Sequence, residues 1–390
     1  MMVPMESGRV LRADCVITPD RELAPGWVLV DGGKIKDLGE GQGPEGDEVV
    51  DLAGLTLAPG FVDLHVHGGG GFSFDSGIGR DLDGYRRWVV STGVTSFLAT
   101  VIGGSVEGGL RSLKAIVGAK VADGAELLGC NLEGPFLNAE RPGAIPPSWI
   151  TAPDVETFES LFDASGGLLR LMTVAPEVPG AGEVIRAARD RGVAISVGHS
   201  DAIYDEAASA FEIDATHVTH AFNGMRPYHH REPGIVGAAL DSGEATIEVI
   251  ADGVHLHRGA VSMLVSAFGA ERVALVTDAT PLAGGTEGSV RLGGREATLR
   301  KGRVMLADGT IAGSAATMDG LIRNVVGWGV TDLAGAVRMA STVPSEVSGA
   351  GDRKGRIERG YDADLVALDA GLSVVRTWTG GVLRHEVKMR

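Results

Sequence analysis

The sequence predicts an α/β protein: a closed parallel barrel of eight β-α units, with a small sheet domain built from both chain ends. Three observations predict it. Apolar strand-like runs alternate with helix-like stretches over about 250 residues, the signature of such a barrel. Short strands separated by glycine turns occupy the first ~57 residues and recur at the end, so the termini are expected to share one sheet. Polar residues able to bind metal or move protons follow directly after the apolar runs, where a barrel of this kind gathers its chemistry.

The opening strands are expected at Arg9–Thr18, Gly26–Asp31 and Lys34–Leu38, with Gly32-Gly33 as the turn between the last two. Barrel strands are expected at Gly60–Val66, Thr95–Val101, Glu126–Leu132, Leu169–Val174, Val193–Val197, Ala215–Thr219, Thr246–Ile250 and Val273–Thr277. Each is a short apolar run of the kind a fully buried strand shows. Helices fit between most of them, at Leu82–Ser91, Val106–Val121, Ala181–Arg191, Ile203–Phe211 and Arg258–Phe268. The closing strands are Asp364–Asp369, Val374–Trp378 and Gly381–Glu386. The small domain is thus assigned residues 1–57 and 355–390, and the barrel 58–354. A doubly wound open sheet is the alternative. It needs a glycine-rich phosphate turn after the first strand, and Gly68–Gly71 lacks the GxGxxG spacing and an immediately following helix.

At 390 residues the chain exceeds the size at which single cores stop growing, which agrees with two domains. A formal charge of −16 disfavours a nucleic-acid partner, whose backbone it repels. Cys15 and Cys130 need not pair, which fits a reducing compartment. Neither a secretory signal nor an apolar stretch long enough for a bilayer is evident, so the expectation is a soluble cytoplasmic protein without a membrane partner. The 59 glycines are spread among apolar segments and form no low-complexity tract.

His65 and His67 are two apart at the end of the first barrel strand, so their rings share a face. Glu133, His199, His220, His255 and Asp278 follow later strands and converge on the same rim. Imidazole nitrogen and carboxylate oxygen suit a divalent ion, zinc foremost, with iron, cobalt or manganese as alternatives. Glu133, His199 and His220 supply one set of three ligands, and His65 with His67 a second, for one or two ions. Asp278 is then the general base, passing a proton from water to the leaving group. His217 breaks the alternation with His220 and is read as structural, on another face. His257 and His385 are read as surface residues.

These words together resemble the amidohydrolase superfamily and, more narrowly, the N-acetylglucosamine-6-phosphate deacetylase family. The resemblance runs through Ala58–Gly68 (APGFVDLHVHG), Leu132–Phe136 (LEGPF), Val197–Ser200 (VGHS), Thr219–Met225 (THAFNGM), His230–Gly234 (HREPG), Ala251–His255 (ADGVH), Val276–Thr280 (VTDAT), Ala312–Met318 (AGSAATM) and Gly360–Leu365 (GYDADL). It implies a TIM-like (β/α)8 barrel with a small β-sandwich, and hydrolysis of N-acetylglucosamine 6-phosphate to glucosamine 6-phosphate and acetate. It implies Glu133, His199 and His220 as principal metal ligands, with Asp278 as acid/base. The sugar-phosphate contacts become Asn223, the backbone at Gly224, Arg231 and His255, with Ala144 and Ile311 beside the acetyl group. In relatives the arginine and histidine reach in from a neighbouring subunit, so a homodimer with a shared phosphate site is implied.

Two positions depart from the family pattern. Its usual histidine after Gly143-Ala144 is Ile145 here, and the position before Leu132 is Asn131. Isoleucine donates no hydrogen bond, so a carbonyl-polarising contact is missing, and a second metal at His65 and His67 is expected to take its place. Two other readings compete. One is another hydrolase of the superfamily acting on a cyclic amide or deaminable base, although the fourth barrel strand carries no lysine for a metal-bridging carbamate. The other is a non-catalytic sugar-phosphate sensor.

Overall fold

Strand Glu48–Pro59 ties the two ends of the chain together. On one side it pairs in parallel with Arg9–Ile17, and on the other antiparallel with Leu365–Leu368. The resulting eight-stranded sheet also takes in Glu22–Leu23, Gly26–Asp31, Lys34–Glu40, Val374–Thr379 and Val382–Glu386. It encloses its own apolar cluster, including Leu11, Val28, Ile35, Leu57, Leu365 and Trp378. The computed structural model describes residues 8–45, 47–74, 79–119 and 123–387.

The second eight-stranded sheet is parallel throughout: Phe61–Val66, Val94–Val101, Glu126–Leu132, Leu169–Val174, Ala194–Val197, Ala215–Val218, Thr246–Val249 and Val273–Leu275, in chain order. It closes on itself. Asp278 N–H donates to His65 O at 2.8 Å, His67 N–H donates to Ala279 O at 2.8 Å, and Val66 bridges Ala279 in parallel. With helices wrapped outside, this is the expected (β/α)8 barrel, beside a separate β-sheet domain. Two polar columns meet inside it. Thr219 Oγ1 hydrogen-bonds with both Thr173 Oγ1 and Ser196 Oγ, and Thr277 Oγ1 donates to Asp63 Oδ2 at 2.5 Å. On the first strand Val62 and Leu64 pack outward with Val343, so Asp63 and His65 face the interior. No helix among the described residues is long and apolar enough to cross a membrane.

Several elements differ from expectation. Strand Glu48–Pro59 is missed because Asp51 and Gly54 interrupt its apolar pattern. Helix Val155–Ala164 carries a readable signal, Asp154 accepting from Thr157 N–H as its cap. Helix Gly234–Ser242 is absent from the expected helices; its two early glycines hide it. The expected Val106–Val121 helix ends at Val117, and its predicted last residues lie outside the described ones. The last barrel strand stops at Leu275, and an unforeseen antiparallel flap, Gly288–Leu292, Arg295–Arg300 and Arg303–Leu306, follows it. His385 is half-buried in the last strand, where burial lowers its imidazole below the usual range, whereas His257 is exposed and caps helix Arg258–Phe268.

Candidate active site

The backbone itself marks the carboxyl rim of the barrel. His199, His220 and Asp278 all have positive φ, of 48°, 27° and 46°. Such conformations are costly for residues with a Cβ and persist where surrounding structure enforces them. Here each residue turns the chain abruptly off a strand end and swings its side chain over the barrel mouth. Glu133 directly follows the third strand, and Trp149 Nε1 donates to its carbonyl at 2.7 Å. All six of His65, His67, Glu133, His199, His220 and Asp278 are buried.

Their polar atoms converge. His199 Nε2 and His220 Nε2 lie 2.9 and 3.0 Å from Glu133 Oε1 and 3.1 Å from each other. His67 Nε2 lies 3.3 Å from Glu133 Oε2 and 3.2 Å from Asp278 Oδ1. His65 Nε2 lies 3.5 Å from Glu133 Oε1 and 3.7 Å from Asp278 Oδ1. Two groups of three form, Glu133/His199/His220 and His65/His67/Asp278, with the Glu133 carboxylate between them. Asp278, expected as a base alone, thus also stands among potential ligands.

The donor set fits a divalent cation. Ligand bonds of about 2.0–2.1 Å place two atoms of a tetrahedral shell about 3.3 Å apart, close to the separations found here. His199 Nδ1 donates to Arg141 O at 2.9 Å, which leaves Nε2 as the lone-pair nitrogen facing its neighbours. His65 Nε2 is buried without a hydrogen-bond partner among the described residues. Burial opposes a charged His67, yet hydrogen bonds to Asp278 and Glu133 push it up to about 10. Burial likewise opposes a charged Glu133, but the histidines hold it well below the usual carboxylate range. A cation entering this cluster therefore displaces protons.

A cavity of about 260 Å³ opens above these groups. Ala144, Asn223, Gly224, His255 and Ile311, all singled out from the sequence, line it, and so does Ile145. His255 Nδ1 lies 2.8 Å from Asp252 Oδ2. Burial opposes the imidazolium, but Asp252 and the more distant Asp278 charge raise it above its ordinary value. Arg231 stands outside the lining, exposed at the tip of a turn closed between His229 and Glu232, its Nη1 2.8 Å from His230 Nε2. Glu232 accepts from the Tyr204 and Gly234 backbone N–H groups, so its carboxylate serves the turn.

Sequence reasoning missed the flap residue Leu292 and the strand-end Ile102, which make the cavity wall apolar together with Ile145 and Ile311. It also missed Glu248, and it misplaced His217. The chain leaves its strand at Val218, so alternation does not carry to His220, and His217 faces the interior with its Nε2 3.3 Å from Glu248 Oε1. A carboxylate within the apolar run Thr246–Ile250 was the available signal, since a buried acid needs partners.

Comparison with known proteins agrees with this geometry. The Amidohydrolase family model matches residues 56–384. The N-acetylglucosamine-6-phosphate deacetylase of Bacillus subtilis (strain 168) is 34% identical over 385 residues, covering 96% of each chain. The N-acetylgalactosamine-6-phosphate deacetylase of Escherichia coli O157:H7 is 36% identical over 329 residues, covering 84% of this chain and 87% of the relative. Among solved structures, a mutant N-acetyl-D-glucosamine-6-phosphate deacetylase from Mycobacterium smegmatis, in complex with N-acetyl-D-glucosamine-6-phosphate, superposes with a TM-score of 0.91 at 32% identity, covering 97% of this chain and all of the other. Buried histidines and carboxylates on a barrel rim, matched along nearly the whole length, place the chain in the amidohydrolase family, in the branch of the N-acetylglucosamine-6-phosphate deacetylases.

Proposed function

We propose that this protein removes the N-acetyl group of N-acetylglucosamine 6-phosphate, giving glucosamine 6-phosphate and acetate. The observation that carries the reading is the convergence of Glu133, His199, His220, His65, His67 and Asp278 beneath one cavity. Glu133, His199 and His220 would hold one divalent ion, zinc by preference, and His65 and His67 a second. An ion held there would supply Lewis-acid chemistry, lowering the pKa of water and polarising the amide carbonyl. Asp278 takes one proton of the attacking water and returns it to the amine nitrogen as the C–N bond breaks; the second water proton, left on the new carboxyl group, passes to the freed amine, so acetate and the ammonium form of the sugar leave with charge balanced. Ala144 and Ile311 flank the acetyl group. His255, held by Asp252, faces the phosphate with Asn223 and the Gly224 backbone.

Arg231 is offered outward and would complete the phosphate site of a partner subunit in a homodimer; its planar fork suits phosphate oxygens. The two free cysteines support a reducing, cytoplasmic setting. In this reading residues 1–57 with 355–390 make up the small domain and residues 58–354 the catalytic barrel.

Acetate release from metal-loaded protein tests the reading, with unphosphorylated N-acetylglucosamine and N-acetylgalactosamine 6-phosphate as further substrates. Asp278→Asn is expected to lower kcat by about 10²–10⁴. Acetate release from neither sugar phosphate would sink the proposal and leave the sensor reading, whereas preference for the galactosamine compound would reassign the sugar.

A further inference from the structure

Beneath the rim, Glu248 touches both groups of potential ligands. It is fully buried on the seventh barrel strand. Its Oε2 lies 2.9 Å from His65 Nδ1 and also accepts the backbone N–H of His220 at 2.9 Å. Its Oε1 lies 3.3 Å from His217 Nε2, and His217 Nδ1 meets Thr246 Oγ1. One carboxylate therefore grips a side chain of the His65/His67/Asp278 group and the main chain of the Glu133/His199/His220 group. We propose that Glu248 is the positioning residue that presents His65 to a second cation, so that the two-cation form of the site depends on it. This rests on the reading of two cation groups given above.

An ionised carboxylate only accepts, so the hydrogen bond fixes the His65 proton on Nδ1 and leaves the lone pair on Nε2. That nitrogen faces Glu133 Oε1 and Asp278 Oδ1 at 3.5 and 3.7 Å, with no hydrogen-bond partner among the described residues. A buried nitrogen aimed between two carboxylates without a hydrogen bond is the arrangement a cation completes. The other tautomer would turn an N–H into that space and exclude the ion. The bond to the His220 N–H has a related effect, because it steadies a residue held at φ 27°.

Glu248→Gln keeps the shape and removes the charge. Purified parent and variant are loaded with zinc or cobalt, counted by elemental analysis, titrated against a chelator, and melted with the metal stripped. Cobalt absorption reports the ligand field, and kcat and KM are measured separately. The parent is expected to hold two equivalents. The variant is expected to keep the first and bind the second about 10–100-fold more weakly, with an unchanged melting temperature of the stripped protein and a fall in kcat larger than any rise in KM. Should the Gln variant fail to fold, Glu248→Asp, one methylene short of His65, is expected to show the same selective loss. Two equivalents held at parental affinity would overturn the proposal. So would loss of both equivalents in step with a lower melting temperature of the stripped protein, which marks a purely structural role. His65→Ala separates the two levels: if it leaves the metal count of the parent unchanged, the second cation group itself is wrong, and the proposal falls with it.

Discussion

Gly224→Ala tests whether the His199 ring is held as tightly as the site requires. Gly224 has φ +56°, a left-handed conformation that costs an L-residue roughly 1–2 kcal/mol. A Cβ built there would stand 2.9 Å from His199 Nδ1 and 3.0 Å from its Cε1. Comfortable contact begins near about 3.5 Å, so the ring or the loop must give by roughly 0.5 Å. The ring has little room to retreat. On another side a Cβ at Gly143 would come within 3.1 Å of the same Cε1, and the ring is pinned by Arg141 O and Glu133 Oε1, each at 2.9 Å. Metal sites tolerate displacements of only about 0.2 Å in ligand distance. The expected result is a metal affinity lowered about 10–100-fold together with a stability loss of about 1–2 kcal/mol. Chelator competition reads the first, and thermal melts of the stripped protein the second. Gly243→Ala is the control, with φ +76° and nothing within 4 Å of its Cβ; it should show backbone strain without metal loss. Parental metal affinity in Gly224→Ala, or equal metal loss in Gly243→Ala, would refute the reasoning.

Three further outcomes are expected. Ile145 is 2% exposed and lines the cavity, so Ile145→His should change kcat or KM for the acetylated sugar phosphate by at least about tenfold, toward the 10²–10³ range of a polarising donor; unaltered constants would place this loop away from the acetyl group. Lys354, buried beneath the barrel, bonds Asp364 at 2.5 Å, Glu126 at 2.7 Å and Asp362 at 3.0 Å, so it ties the third barrel strand to the sheet domain. Lys354→Met leaves a buried carboxylate unpaired and should cost about 3–5 kcal/mol in urea or thermal unfolding; a loss below about 1 kcal/mol contradicts the clamp. The same cluster predicts acid behaviour. Burial opposes the Asp362 carboxylate, but Lys34, Lys354 and Arg353 hold it at about 2, below an unfolded value near 3.9. Its contribution is therefore present above about pH 4 and lost as pH falls toward 2. Melting temperatures across that window should fall less steeply in Lys354→Met than in the parent, and equal slopes would contradict the assignment.

The barrel was legible because its strands are buried on both faces and read as mostly apolar runs, six and eight residues long in Phe61–Val66 and Val94–Val101, broken only by small or inward-facing polar residues. What stayed hidden lacks that signature. Strand Glu48–Pro59 alternates exposed and buried residues irregularly and carries a glycine at φ +79°. The flap Gly288–Leu306 packs on its own small cluster, so its pattern belongs to neither main core. Helix Gly234–Ser242 is formed by packing against helix Tyr204–Glu212 in spite of its glycines.

The rim residues were legible for a different reason, and the difference explains Glu248. A ligand at a strand end follows an apolar run and interrupts it, so His199, His220 and Asp278 announce themselves by position. A positioning carboxylate works one layer lower, inside the strand, where alternation predicts a bulky apolar side chain. Its meaning depends on which neighbour it meets, and His65 is 183 residues away in the chain. Strand register and barrel closure alone bring the two within 2.9 Å. The rule that a buried acid must be satisfied flags Glu248 as a question in the sequence, and only the closed barrel supplies His65 as the answer.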